Sequence, residues 1–258
     1  MVILLFKLFT TPTLILVATL VSRRFGQATG GWLVGLPLTS GPIAVFLAIE
    51  HGATFSQAAA SGSLEGTVGQ AFFATAYAAL ARRWSWPVCL AGGAFAFLAS
   101  GLLLGRLRLP MPVLAAAACA SLAGGLLVIG KPAGAAAPVA PPRWDLPVHM
   151  AVATGLVLLI TSVASVIGPD LSGLAATFPI FAIVLSVFAH RHQGAAAAQS
   201  VMRGLVLGLF GFVGFFAAVS HFVTRIDLMP VFAIALAVNL AIHGAAFVAL
   251  RRAGAGNA

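Results

Sequence analysis

Long apolar runs follow one another down the chain, each about 20 residues and separated by a few polar positions, which is the length of a helix crossing a bilayer core. The spans predicted from them are 2–22, 31–49, 55–81, 86–105, 112–130, 147–167, 172–190, 196–221 and 230–250. The expected architecture is therefore all-α and polytopic, with about nine transmembrane helices and no soluble domain left over. Span 112–130 is short and rich in alanine; omitting it would leave eight.

The same pattern contains itself twice. Sliding the sequence by 142 positions aligns residues 26–76 with 168–218 without a gap. Gly26, Gly31, Gly52, Gly62, Gly66 and Gly69 then fall on Gly168, Gly173, Gly194, Gly204, Gly208 and Gly211, while Pro37 falls on Pro179 and Gln57 on Gln199. Fixed-offset self-similarity in a membrane chain points toward carrier-like folds. The expected domains are a first four-helix repeat over 1–108, a linking helix and Pro/Ala-rich linker over 109–146, and a second four-helix repeat over 147–258. Five spans precede the second repeat, so the two halves are expected to be inverted about an axis in the membrane plane.

Composition agrees with membrane insertion: 61% of residues are hydrophobic and 7% charged, against roughly 25% charged in soluble domains. The net charge of +9 is explained by basic loops holding one side in the cytoplasm rather than by a nucleic-acid partner. With nine spans, Arg23, Arg24, Arg82, Arg83, Lys131, Arg143, Arg191, Arg203, Arg251 and Arg252 share one side, against Lys7, Arg106, Arg108 and Arg225. That distribution puts the N-terminus outside and the C-terminus in the cytoplasm of a bacterial inner membrane. Residues 1–21 lack a basic region ahead of the apolar run, so an uncleaved first helix is expected rather than a signal peptide. Cys89 and Cys119 lie in apolar spans and read as packing residues.

Candidate chemistry is sparse. Pro37 and the added Gly41-Pro42 interrupt one span and Pro179 the corresponding one; each proline removes a backbone donor, so a kink or break is expected. Freed backbone groups are tolerated at membrane depth only against protein or a wet cavity, and Thr39 and Ser40 stand ready to bond them or a substrate. The alternative is an ordinary proline kink. Gly62-x-x-x-Gly66 and Gly204-x-x-x-Gly208 are matching helix-packing faces, expected to cross antiparallel near positions 64 and 206. Glu65 is the one acidic residue deep inside a span, and Arg203 lies about eight residues into its own, roughly 12 Å. Such a crossing would bring them together as a central ion pair or as a proton-coupling carboxylate beside an arginine. A purely structural pair, or an arginine snorkelling to the interface, is the competing reading. Gln57, Gln199 and Asn239, with His243 one turn from Asn239, are interior polar candidates, each otherwise interhelical glue.

His190-Arg191-His192 lacks a carboxylate or cysteine partner, so no metal is expected. No HExxH, Gly-rich phosphate loop or GxSxG occurs, and five acidic residues leave little for acid–base work. Neither an enzyme nor a cofactor is expected. The partners are the lipid bilayer, a small-molecule substrate and, as an open alternative, a second copy in a homodimer.

The segment SGLAATFPIFAIVLSVFAHRHQG, residues 172–194, resembles the signature stretch of the GlpM-type family of small bacterial inner-membrane proteins through Gly173-Leu174, Phe178-Pro179 and His190. The first half departs from it, with Leu36-Pro37 and with Ala48 at the position of His190. The resemblance implies an inner-membrane location and a fused, duplicated half, without a substrate. Drug/metabolite transporters are similar in architecture only. The function expected is secondary transport of a small solute by alternating access; a non-transporting scaffold or assembly factor is the alternative.

Overall fold

The computed structural model describes residues 9, 13, 16, 17, 20, 24, 25, 27–37, 40–131, 147, 148, 150, 151, 155, 174, 175 and 177–255. Over these the protein is all-helical: α1 Gln27–Val34, α2 Ser40–His51, α3 Ala53–Leu80, α4 Trp86–Leu107, α5 Met111–Ile129, α6 Ile180–Gln193, α7 Ala195–Phe222 and α8 Leu228–Ala255. The expected spans 2–22 and 147–167, the linker from 132 to 146 and Thr39 lie outside the described stretches or are only sparsely covered by them.

Among the described residues, four helices are long and apolar enough to cross a membrane: α4, α5, α7 and residues 228–246 of α8. The helix at 111–129 is thus a full candidate span. Large apolar side chains stand outward along them, among them Phe95, Leu98 and Leu103 on α4, Leu127 on α5, and Met229, Leu236 and Leu240 on α8. An apolar exterior is what lipid requires, since hydrocarbon offers polar groups no partner. The most enclosed helices are α3 and α7. Helix α3 is as long as α7, at 28 residues, yet it is not among the four apolar helices. Its deficit comes from buried polar residues: Ser56, Ser63, Glu65, Thr67 and Gln70.

Helices α3 and α7 pack antiparallel at the centre. Gln57 Nε2 donates to Ser220 O and Gln199 Nε2 to Ala78 O, both at 2.9 Å. These bonds set a register in which position i of α3 lies level with 277 − i of α7, so the helices cross near Thr67–Val68 and Leu209–Phe210. Each helix is about 42 Å long at a rise of 1.5 Å per residue, close to the full thickness of a bilayer with its headgroups. The crossing point therefore lies at mid-length of both helices. Helix α4 packs on α3, α8 on α7, and α5 against both central helices.

Corresponding elements obey the 142-residue offset closely. Helix α3 maps onto α7 at both ends, α4 and α8 begin at 86 and 228, and α2 and α6 end at 51 and 193. Gly52 and Gly194, with φ of 84° and 86°, make the same sharp link into α3 and α7, a conformation that a side chain rarely adopts.

Among the described residues, most basic positions lie toward one of two ends. Arg82 donates to Val128 O at 2.9 Å, which places the α3–α4 turn beside the end of α5 and Lys131. The antiparallel helices bring the ends of α6 and α8 to that same end, with Arg191, Arg251 and Arg252. Arg106, Arg108 and Arg225 lie at the other end.

Candidate functional site

Two helical segments stop and restart midway along the central pair. The segment α1 ends at Val34, turns through Gly35 and Leu36, and resumes as α2 at Ser40. Helical residues Leu174 and Ala175 lead through Thr177, Phe178 and Pro179 into α6. Three backbone bonds correspond at the two places. Gly35 N reaches Trp32 O (3.1 Å) where Thr177 N reaches Leu174 O (3.2 Å); Leu36 N reaches Leu33 O where Phe178 N reaches Ala175 O, both at 3.1 Å. Gly41 N reaches Pro37 O where Ile183 N reaches Pro179 O, both at 2.8 Å. Pro37 and Pro179 lie in these breaks. Pro42 falls in the first turn of α2, where no intrahelical donor is needed, and makes no break of its own.

Glycines seat the breaks against the core. A methyl on Gly208 would collide with Trp32 O and meet Gly35, and one on Gly66 would collide with Thr177 and meet Leu174. A methyl on Gly204 would strike Ala28 O, and one on Gly31 would strike Val201 O. The two small-residue faces thus do not close on one another, as the glycine spacing suggested. The face bearing Gly204 and Gly208 receives α1, while Gly66 receives the turn at Leu174–Thr177. The reason is rotational: spacing identifies a smooth stripe but not its azimuth, and here the glycines let short interrupted segments come close.

The expected Glu65–Arg203 pair does not form at the centre. In the α3–α7 register Glu65 is level with Phe212 and Arg203 with Ala74, about nine residues or 14 Å apart along the axis. Glu65 is buried and turns toward α4, where its Oε2 would lie 3.3 Å from a methyl on Gly105. Arg203 reaches the end of α5 instead: Nη1 donates to Gly130 O at 2.5 Å and to Leu126 O at 3.5 Å. A cation there supplies a donor to the Gly130 carbonyl just past the helix end, while Leu126 O also takes Gly130 N, and it complements the negative end of the helix dipole.

Gln57 and Gln199 also act on helix ends. Ala78 O and Ser220 O belong to the last turns of α3 and α7, whose carbonyls have no intrahelical amide. Around Ala78, Tyr77 O takes Ala81 N, Ala79 O takes Arg82 N, and Leu80 O takes Arg83 N and Trp84 N. The remaining carbonyl takes the glutamine of the opposite helix.

Around the breaks, Ser40 is buried, and Gln70 donates to Thr177 O. Thr177 Oγ1 donates to Leu174 O at 2.7 Å. On the other side of α7, Trp32 lies over His243 with ring centroids 4.3 Å apart, and its Nε1 donates to His243 O at 3.3 Å. His243 Nδ1 is 3.1 Å from Gly208 O. A carbonyl only accepts, so Nδ1 carries the hydrogen and, in the neutral ring, Nε2 is left as an acceptor. Asn239 is fully buried one turn away. Its amide nitrogen and oxygen, and His243 Nε2, meet no hydrogen-bond partner among the described residues. Each unmet buried group costs about 1–3 kcal/mol, so three in one place call for an explanation. Sequence reading placed Asn239 and His243 on one face but missed Trp32, which only the close approach of α1 to α7 brings there.

No group of three or more His, Cys, Asp or Glu suited to hold a metal occurs among the described residues. No protein-family model, curated protein or solved structure matches the chain.

Proposed function

We propose that the chain is a secondary transporter of a small solute in a bacterial inner membrane, with nine spans forming two inverted four-helix repeats about a linking helix. The observation that carries this reading is the pair of breaks at Pro37 and Pro179, which share a bonding pattern and lie at mid-length of α3 and α7. Interrupted helices in corresponding places, meeting at the midplane, form the binding sites of repeat-built carriers. The antiparallel packing of α3 on α7, the matching element ends at an offset of 142 and the polar interior of α3 support the same reading. Five steps from α3 to α7 through nine spans give that antiparallel arrangement, whereas eight spans would make the two parallel.

The end carrying Arg82, Arg83, Lys131, Arg191, Arg251 and Arg252 is assigned to the cytoplasm by the positive-inside rule. The N-terminus is then outside and the C-terminus inside. Glu65 is the proton-coupling candidate, because a buried carboxylate within a bilayer is costly unless it serves a partner or a pathway. Arg203, engaged with the end of α5, is assigned to structure.

A substrate-independent test uses Ser40→Cys in a background with Cys89→Ala and Cys119→Ala, reconstituted in proteoliposomes. A carrier exposes this mid-depth thiol to an impermeant thiol reagent, and an imposed pH gradient changes the labelling rate. Glu65→Gln removes that pH response. A thiol that stays unreactive from both sides would favour a sealed scaffold and end the carrier reading.

A further inference from the structure

The two corresponding packing sites beside the breaks carry different chemistry. In the first half, a methyl on Gly69 would press on Phe97, and one on Gly101 on Leu174, so these contacts are apolar. At the positions offset by 142, Gly211 packs on Asn239, and His243 lies against Trp32. Phe97 has thus become Asn239, Gly101 has become His243 and Leu174 corresponds to Trp32. Packing alone does not call for this change, because the apolar version fills the same framework without unmet polar atoms.

We propose that the Asn239–His243–Trp32 site recognises a small uncharged solute bearing an N–H or O–H donor and a carbonyl or hydroxyl acceptor. This deepens the carrier reading and rests on it. His243 Nε2 would accept from the solute, while the Asn239 carboxamide supplies one donor and one acceptor. The Trp32 ring and the bare backbone of Gly208 and Gly211 form the walls. Charge selects against ions. Helix α1 contains no Asp, Glu, Lys or Arg, α8 contains none from 228 to 250, and the one such residue of α7, Arg203, is committed to Gly130 O. The groups are enclosed in this conformation. Entry requires α1, a short segment ending at a break and resting on a smooth glycine surface, to slide from α7.

The test uses the full chain in nanodiscs with Trp84, Trp86 and Trp144 changed to Phe, leaving Trp32 as the sole indole. Acetamide is the probe, with acetate and methylammonium as charged controls of similar size. The expected result is a saturable change in Trp32 emission with acetamide and none with either ion. Asn239→Leu is expected to weaken the response by about tenfold or more, the loss of one or two good hydrogen bonds. Asn239→Phe, which copies the Gly69–Phe97 contact, is expected to fold at least as stably and to lose the response. A non-saturable response, an equal response to acetate, or an unchanged response in a folded Asn239 variant would overturn the site. A saturable response alongside a sealed Ser40→Cys thiol would keep the site and remove the carrier reading. A reactive thiol without acetamide binding would do the reverse.

Discussion

Replacing Gln57 and Gln199 by leucine, singly and together, isolates how the two central helices are fastened. Each glutamine donates to a C-terminal carbonyl of the opposite helix at 2.9 Å. Removing it takes away one side chain–backbone bond and leaves the carbonyl without its donor. Interhelical hydrogen bonds in membranes average about 0.6 kcal/mol with a maximum near 1.7, and an orphaned carbonyl adds to that. Both glutamines are only partly buried, so water recovers some of the loss, and about 1 kcal/mol per substitution is expected. The bonds sit at opposite ends of α3, about 32 Å apart at roughly 1.5 Å per residue. Sites that distant add, so the double variant should lose about 2 kcal/mol. Reversible unfolding in mixed micelles, followed by helical circular dichroism, measures all three. Two costs differing by more than about 1 kcal/mol, or a double variant far from the sum, would refute corresponding and independent fasteners.

Three further outcomes follow from the packing. Gly208→Val drives a side chain into Trp32 O and Gly35 and is expected to cost about 1–3 kcal/mol by overpacking; Gly124→Ala, with nothing within 4 Å, is expected to be neutral or mildly stabilising in the same assay. Arg203→Ala uncaps the end of α5 and should lower stability by about 1 kcal/mol, while Arg203→Lys restores part of it and neither changes any pH response of flux. Cys119 is exposed on α5 whereas Cys89 is buried, so a lipid-soluble maleimide should label Cys119 alone, as read by peptide mass spectrometry; labelling of Cys89 at a similar rate would contradict the α3–α4 packing.

The helical class was legible because apolar runs of bilayer length leave no room for another, and the prolines drew attention to the segments that break. Span limits moved by a few residues: the expected 55–81 is Ala53–Leu80 and 196–221 is Ala195–Phe222. Less was legible at the site. The glycine spacing marked smooth faces, yet the meeting of Gly204 and Gly208 with α1 depends on helix rotation, which a one-dimensional offset does not carry. The same blindness produced the expected Glu65–Arg203 pair. Both are deep in their spans, but depth measured from opposite ends of antiparallel helices separates them. Gln57 and Gln199 were recognised as corresponding polar residues, whereas their service to carbonyls 163 and 121 positions away needed the assembled pair.

The polar character of α3 bears on the order of synthesis. This helix leaves the ribosome before α7, whose glutamine completes its last turn, and it carries buried serines, a threonine, a glutamate and a glutamine. Until residues 195–222 emerge, a helix too hydrophilic to settle in lipid unaided must be sheltered by its neighbours α4 and α5 or by the insertion machinery. Nascent chains arrested shortly after Lys131 should accordingly remain bound to that machinery, whereas chains arrested beyond Asp227 should be released.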